Sequence, residues 1–399
     1  MKTTSRFAIA AAASVLMGGF AVTPTKAADL GGDCCADLEE RVAELEATTV
    51  RKGNRKVSVT LYGWVNQAVL WWDNGEESDI YVTDVSYGES RFGVKGSGTL
   101  RQGTEIGYRL ELGTSKDGTI GLDANDQDDF ERIRIRQAYW YWKDDRMGTL
   151  TVGQQYPASS GTGAVEVGGA GGWVSYNQGA SDAYGGFTIY DATAGAYTSL
   201  SWFAAIPNFD PGRLNLVKYT SPEFAGFTAS ASWGEDDRWD VGLTYSKDWN
   251  GVYVAAGVGY FVDDDNGDGN VYSGGKEEVF SASAGVYHAA SGVYGELGYM
   301  KRNPELVDLD TTSIYAKVGL RKNWHGLGET DIYVEYQKVT DAIADDTSGT
   351  MWGVGIGQDL DAVGATAYLS YRHNEADLDA IGIDAADFDT VIAGMVVPF

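Results

Sequence analysis

From Val57 onward, hydrophobic and polar residues alternate in runs of about ten residues, and each run ends in a turn or a loop. Such alternation places every second side chain on the same face of a β-strand. In the last run, residues 390–399, one face consists of Val391, Ala393, Met395, Val397 and Phe399. Short and long connections alternate along the chain, which is typical of a barrel with tight turns on one side of a membrane and long loops on the other.

The pattern predicts an all-β fold, a transmembrane antiparallel β-barrel over residues 57–399. The runs amount to 16 strands if residues 156–212 form one long connection. They amount to 18 if residues 187–191 and 196–204 are also wall strands. Both counts are even, so the return of both chain ends to one side of the membrane does not decide between them. We expect 16 strands, with the strand-like pieces packed inside a folded loop.

The first 27 residues differ from this pattern. Lys2 and Arg6 precede an apolar stretch over residues 7–22, and residues 25–27 offer small side chains for cleavage. These features predict a cleavable signal peptide over residues 1–27 and export of the remaining chain. Beyond it, no apolar run approaches the roughly 18 residues that a transmembrane helix needs, so any membrane span is expected to be a strand.

Residues 28–56 are predicted to form a periplasmic segment with a short helix and a basic linker. The helical part has the hydrophobic spacing of a coiled coil at Leu38, Val42, Leu45 and Thr49. This helix is barely two heptads long and marginal alone, so we expect it where a barrel oligomer holds copies together. The basic residues of the linker are Arg51, Lys52, Arg55 and Lys56. They meet either solvent or the anions of lipid and cell wall.

The composition supports the same fold. The 53 Gly, 24 Tyr and 12 Trp against 7 Pro suit closely spaced, twisted strands with aromatic belts at the membrane boundaries. A soluble secreted all-β protein is the alternative.

The net charge of −27 argues against nucleic acid as a partner and fits long, solvated loops. Adjacent Cys34 and Cys35 predict a bond between subunits or a strained local pair, not a disulfide framework.

Three successive strands combine an apolar face with a basic face. The basic side chains are Arg91, Lys95, Arg109, Arg132, Arg134 and Arg136. An Arg that faced lipid near the bilayer midplane would cost about 2 to 4 kcal/mol, so we expect this face to point inward to water. On the third strand, the residues expected on the opposite face are Ile133, Ile135, Tyr139 and Tyr141. The arginines either form a charged inner wall or pair with Glu105 and Glu111 merely to support it.

Five parts of the chain carry a resemblance to a known family. They are residues 33–46 (DCCADLEERVAELE), the basic linker into residues 57–64, the strand at 148–156, residues 219–227 and Phe399. These parts resemble the general bacterial porins, and specifically the trimeric porins of alpha-proteobacteria. The resemblance covers essentially the whole chain. It implies a homotrimer of 16-stranded barrels in the cell outer membrane, each with a third surface loop, here about residues 156–212, folded into the lumen.

What the resemblance implies about function is passive diffusion of small hydrophilic solutes and ions through a water-filled channel. In such porins, acidic residues of the inward loop face basic residues of the wall and form a constriction. By this resemblance the acidic side consists of Glu166, Asp182 and Asp191. The acidic bulk charge favours cations, whereas the arginines favour anions locally, so both signs of ion selectivity are open.

The ending of the chain also resembles the sorting signal that the barrel-assembly machinery reads. The matching residues are Gly394, Val397 and Phe399, although Ile392 stands where that signal prefers a polar residue. This machinery is therefore an expected partner during biogenesis. Outer-membrane lipid and lipopolysaccharide are the other expected partners of the barrel.

Other functions have weaker support in the sequence. An enzyme would need a nucleophile with a base, but His288, His325 and His373 lie outside any recognisable motif, so we expect no catalysis and no cofactor. The weak calcium candidates are Asp264, Asn266 and Asp268, which match the start of an EF-hand loop. Gly275 stands where that loop requires Glu. A structural or adhesive surface barrel with a closed lumen is the second function class.

Overall fold

The computed structural model describes residues 56–114, 121–124, 133–173, 184–264, 276–305 and 309–399, with only the backbone described for Asp236. The predicted signal peptide, coiled coil and cysteine pair lie outside these residues. The same holds for four candidate site residues, Arg132, Asp182, Asn266 and Asp268. No helix among the described residues is long and apolar enough to span a membrane.

The described residues form 19 strands. Their bounds are β1 (Thr60–Asp73), β2 (Ser78–Asp84), β3 (Arg91–Arg101), β4 (Thr104–Gly113), β5 (Arg134–Asp144), β6 (Gly148–Gln155), β7 (Thr188–Asp191), β8 (Ala196–Ser201), β9 (Leu214–Thr220), β10 (Phe227–Gly234), β11 (Trp239–Asp248), β12 (Val252–Asp263), β13 (Glu277–His288), β14 (Val293–Pro304), β15 (Thr311–Lys322), β16 (Thr330–Thr340), β17 (Ser348–Leu360), β18 (Ala365–Asp377) and β19 (Phe388–Pro398). One α-helical turn, α1, covers Trp202–Ala205. Short 3-10 turns cover Ser86–Gly88, Ala170–Trp173, Glu235–Asp237 and Asp379–Ile381.

These strands form a closed antiparallel barrel with 16 positions in its wall, as predicted. Closure comes from β1 and β19, whose pairing runs from Trp64 opposite Pro398 to Asp73 opposite Asp389. Both β2 and β3 pair with β1, along different parts of its length, so together they form one interrupted wall strand. Because β7 and β8 form a separate two-stranded sheet that pairs with no wall strand, the alternative of 18 wall strands is wrong.

Alternation along each strand separates an apolar outer face from a more polar inner face. On β16, the outward side chains Ile332, Val334 and Tyr336 are 43 to 55% exposed. Between them, Tyr333, Glu335 and Gln337 are buried inside the barrel. On β19, Met395 and Val397 are exposed, as is Phe399 just beyond the strand, while Ile392 and Val396 are buried. The predicted outer face of this closing strand is therefore confirmed.

The pairing of β4 with β5 corrects one predicted face. Glu111 lies opposite Gln137 but Leu112 lies opposite Ile135, so Arg136 is an extra residue in β5. Such a bulge reverses the alternation of the residues that follow it. Beyond it Trp140 and Trp142 are exposed on the outer face, whereas the Tyr141 hydroxyl donates to the Glu105 carboxylate at 2.6 Å. The outward placement predicted for Tyr139 and Tyr141 is wrong.

The long connection between β6 and β9, residues 156–212, is the inner loop, and its described part packs against the inside of the barrel wall. It carries β7, β8 and α1. Its apolar side chains meet those of the first and last strands. The ring centroids of Phe187 lie 5.2 Å from Trp72 and 5.0 Å from Phe388, and Trp202 stacks on Phe388 at 5.7 Å. This apolar cluster anchors one side of the inner loop within the lumen.

Candidate functional site

A cavity of about 870 Å³ inside the barrel lies between the inner loop and the wall near β3, β5 and β9. Its lining is rich in charged side chains. The cations are Arg91, Arg134, Arg136, Arg213 and Lys218, and the carboxylates are Glu166 and Asp210. The cavity therefore brings predicted wall arginines and one predicted loop acid, Glu166, to a common aqueous space. Five cations against two carboxylates give its lining an excess of positive charge.

Buried carboxylates behind this lining hold the arginines in place. Arg134 donates from Nε and Nη2 to the two carboxylate oxygens of Glu89, at 2.9 and 2.6 Å. Arg136 donates to Glu89 as well, and its Nε donates to Glu111 at 2.9 Å. The side chains of both glutamates are 0% exposed. Two-point contacts of this kind restrict the guanidinium planes, so these charges cannot fold away from the lumen.

Glu111 also binds the arginines of the neighbouring strands. Its carboxylate accepts from Arg109 Nη2 at 2.7 Å and from Arg91 Nη1 at 3.4 Å. The guanidinium of Arg91 lies 4.3 Å from the centre of the Trp64 ring. Four arginines thus share two carboxylates, so pairing compensates only part of their charge. Glu105, which the sequence offered as a second possible partner of these arginines, accepts instead from the Tyr141 hydroxyl.

Arg109 and Lys95 belong to the same basic face but do not line the cavity. Arg109 Nε donates to the Tyr62 hydroxyl at 2.7 Å, and Lys95 Nζ lies 5.2 Å from the centre of the Tyr62 ring. Both residues lie closer than Arg91 to the short turn that connects β3 with β4. They extend the basic wall toward the short-turn end of the barrel.

Across the barrel, Glu166 attaches the inner loop to the wall. Lys317 Nζ on β15 donates to Glu166 at 2.5 Å and lies 2.9 Å from Glu296 on β14. Because β14 and β15 are eight wall positions away from β4 and β5, this attachment lies opposite the arginines. The Glu166 side chain is 26% exposed and reaches the cavity. The barrel therefore holds Glu166 and the arginines on opposite sides of the lumen.

Backbone hydrogen bonds strengthen this attachment. The carboxylate of Glu296 accepts from the N–H groups of Val167 and Gly168 at 2.7 and 2.9 Å. Arg321 donates to the Val167 carbonyl oxygen at 2.8 Å. Burial raises the pKa of Glu166 to about 8; Lys317 opposes this shift and Glu296 adds to it. The ionisation of Glu166 therefore changes near neutral pH.

The other predicted loop acid that the structure describes lies elsewhere. The carboxylate of Asp191 accepts from the N–H groups of Thr193 and Ala194, at 3.0 and 2.9 Å, in the turn between β7 and β8. It is not among the residues that line the cavity. Asp210 does line it, and its carboxylate accepts from the Gly161 N–H at 2.8 Å. The loop acids at the cavity in the described chain are thus Glu166 and Asp210.

Two cations of the lining, Arg213 and Lys218, are not among the sequence candidates. Arg213 lies 5.1 Å from the centre of the Tyr156 ring and donates to its hydroxyl at 3.1 Å. Lys218 Nζ donates to the Tyr156 carbonyl oxygen at 2.7 Å. Within the described ranges, neither cation forms an ion pair with a carboxylate. Lys218 alternates with the outward residues Val217 and Tyr219, and this alternation could have predicted from the sequence that Lys218 faces the lumen.

The remaining candidates lie away from the cavity. Asp264 follows β12 and is exposed. Gly394 lies against the Tyr368 side chain, and Val397 is on the outer face. Phe399 forms backbone hydrogen bonds with Gly63 across the barrel closure.

Solved structures with the same fold are outer-membrane proteins. A loop-L8 deletion mutant of OmpT, an outer membrane protein of Vibrio cholerae, is 14% identical, with a TM-score of 0.59, covering 86% of this chain and 100% of that one. The anion-selective porin from Comamonas acidovorans is 16% identical, with a TM-score of 0.56 and coverage of 86% and 100%. A trimer form of V. cholerae OmpT is 15% identical, with a TM-score of 0.55 and coverage of 86% and 99%.

Sequence comparison gives the family. No curated protein sequence matches the chain. A family model described as Gram-negative porin matches residues 8–395, nearly the whole length. Together with the closed barrel of 16 wall strands, this match shows that the chain belongs to the Gram-negative porin family.

Proposed function

We propose that this outer-membrane channel allows passive diffusion of small hydrophilic solutes and ions, and that its narrowest part lies between the inner loop and the arginine wall. The observation that carries the proposal is the shared cavity, which Arg91, Arg134 and Arg136 line together with Glu166. The arginines on one side of a wet lumen and Glu166 on the other, where its carboxyl group is ionised, create a transverse field. Such a field orients water and disfavours apolar solutes, which cannot replace that water.

The structure supports a field that persists in salt solution. The screening length is about 8 Å at physiological ionic strength, so charges across a narrow neck still act on each other and on a passing ion. Glu89 and Glu111 keep the arginines extended, and Lys317 keeps Glu166 at the opposite wall. No reacting group is needed, since solutes move down their own gradients.

We further propose that the neck favours anions. Arg213 and Lys218 add positive charge and form no ion pair within 4.0 Å among the described residues, and the lining has more cations than carboxylates. The net charge of −27 belongs to the whole chain and acts on the neck only weakly where solvent screens it. The Comamonas acidovorans porin with the same fold is anion-selective. That likeness agrees with this proposal, but the charges of the cavity are its basis.

We also propose a homotrimer. The exposed apolar side chains on the outside of the barrel can contact either lipid or a second barrel, and an OmpT structure with the same fold is described in a trimer form. We also propose lipopolysaccharide as a partner of the barrel. The barrel-assembly machinery is a proposed partner because the ending of the chain resembles the sorting signal that this machinery reads. A single band at the monomer mass after mild detergent extraction, with the barrel still folded, would contradict the trimer.

Planar-bilayer recording of the purified protein tests the channel. We expect stepwise, ohmic conductance and a reversal potential of anionic sign in a potassium chloride gradient. Silence of correctly folded, inserted protein would instead support a structural or adhesive barrel with a closed lumen. Conductance with a reversal potential of cationic sign would support the channel function but contradict the proposed anion preference.

A double variant, R213Q with K218Q, tests which charges set the preference. It removes two cations of the lining that form no ion pair in the described part of the chain, so we expect the reversal potential to move toward the cationic side. K247Q is the matched control, because Lys247 lies on the outer surface 4.7 Å from the Trp249 ring. An equal shift in K247Q would show that the effect is not specific to the neck.

A further inference from the structure

A group of potential metal ligands lies on the outer face of the barrel, at the end of β18 that leads to the long β18–β19 connection. His373 and Glu375 are outward residues of β18, and Asp387 immediately precedes β19. His373 Nε2 is 3.1 Å from a carboxylate oxygen of Glu375 and 4.0 Å from one of Asp387. One ligand atom from each of the three residues lies within 4.8 Å of the others.

A third carboxylate, that of Asp389, orients the histidine. The His373 Nδ1 atom is 2.8 Å from the carboxylate of Asp389, which also accepts from the Tyr371 hydroxyl at 2.7 Å. Both ring nitrogens face carboxylates, and a proton on Nδ1 that is donated to Asp389 leaves the Nε2 lone pair of neutral His373 directed at Glu375 and Asp387. Metal-binding histidines commonly have such a carboxylate on their other ring nitrogen, where it fixes the tautomer and the ring orientation.

We propose that His373, Glu375 and Asp387 bind a divalent transition-metal ion, with zinc as the best match. One imidazole and two carboxylates are a donor set that zinc accepts. Bond lengths of about 2.0 to 2.1 Å place tetrahedral ligands roughly 3.3 Å apart, close to the 3.1 Å separation of His373 Nε2 and Glu375. Asp387, whose side chain is 61% exposed, supplies the third ligand. The fourth position is open to water.

The bound ion would link the end of β18 to Asp387, the residue immediately before β19. Residues 378–387 form the connection between these strands. A metal bridge across this connection restrains a surface loop on the side of the membrane where the long loops lie. The site is on the outer face and does not touch the cavity, so it is independent of the proposed selectivity.

Zinc binding to the purified full-length protein tests the proposal. Cys34 and Cys35 are replaced by Ser so that their thiols do not compete for the metal. Competition with a chromogenic chelator should show one zinc ion per chain. H373Q should abolish this binding, and D389N should weaken it about 10- to 100-fold through loss of the orienting carboxylate.

H288Q is the matched control, because His288 is exposed at a short turn and contacts Ser291 at 2.8 Å. It should bind zinc as the parent protein does. Circular dichroism on each variant checks that the barrel is folded. The proposal fails if the folded parent protein binds zinc no more tightly than H373Q, which would leave His373 as an imidazolium ion between carboxylates. It also fails if H288Q loses as much binding as H373Q.

Discussion

Gly63 and Phe399 exchange two backbone hydrogen bonds, of 3.2 and 3.0 Å, and so extend the pairing of β1 with β19 to the last residue of the chain. The Phe399 ring also covers Gly63. A Cβ atom added at position 63 would lie 2.5 Å from the Phe399 ring and closer still to the Arg91 carbonyl oxygen. Only glycine fits at this point of the barrel closure, because both neighbours would otherwise have to move.

We therefore expect G63A to destabilise the barrel by about 1 to 3 kcal/mol, the usual cost of adding a methyl group to a filled site. Urea unfolding followed by tryptophan fluorescence measures the change. G295A is the control, because an added Cβ there meets no atom closer than 3.8 Å. Equal stability of G63A and the parent protein would show that the closure has room for a side chain.

Glu111 is expected to matter more than Glu105, although both are on the inner face of β4. E111Q removes the carboxylate that binds Arg91, Arg109 and Arg136. Breaking a buried ion pair by removing one partner costs about 3 to 5 kcal/mol. We expect a loss of stability of that order in urea unfolding, together with a stronger anion preference in reversal-potential measurements.

E105Q is the control for this prediction, since the Glu105 carboxylate accepts from the Tyr141 hydroxyl instead. It should leave the ion selectivity nearly unchanged. A reversal potential that moves equally in both variants would mean that Glu111 has no special role in positioning the arginines.

Ion selectivity should depend on pH through Glu166. Its pKa is raised to about 8, so the carboxyl group is protonated below that pH and negatively charged above it. Raising the pH from about 6 to about 9.5 adds negative charge to the neck and should weaken the anion preference. Reversal potentials at both pH values measure the change. E166Q should remove most of this dependence, and its persistence in E166Q would assign the effect to another group.

Lys317 should control the position of the inner loop. Its buried ammonium group lies between Glu166 and Glu296, at 2.5 and 2.9 Å. K317M leaves two carboxylates close together without their cation, so the loop should detach from this wall. We expect noisier open-channel currents and faster proteolysis within residues 156–212.

K322M is the control, because Lys322 is at the exposed end of the same strand. Its currents and its proteolysis should match those of the parent protein. Quiet currents in a folded K317M channel would show that the apolar cluster around Phe187 holds the loop without the ion pair.

The alternation of side chains could predict the barrel because a strand's faces follow from local sequence spacing. It correctly indicated 16 wall strands and the outer face of β19. It failed on β5, where the extra residue Arg136 is visible only in the pairing with β4. A bulge depends on two strands together, so the spacing of either strand alone does not reveal it.

Sequence alone therefore determined the fold class and the inward direction of Arg91 and Arg109, since burial of charge in lipid is costly wherever it occurs. The tertiary structure decided which charges meet. Glu89 holds Arg134, and Lys317 holds Glu166 from a strand 151 residues further along the chain. Such contacts depend on barrel closure and on the path of the inner loop, because both bring distant residues within hydrogen-bonding distance.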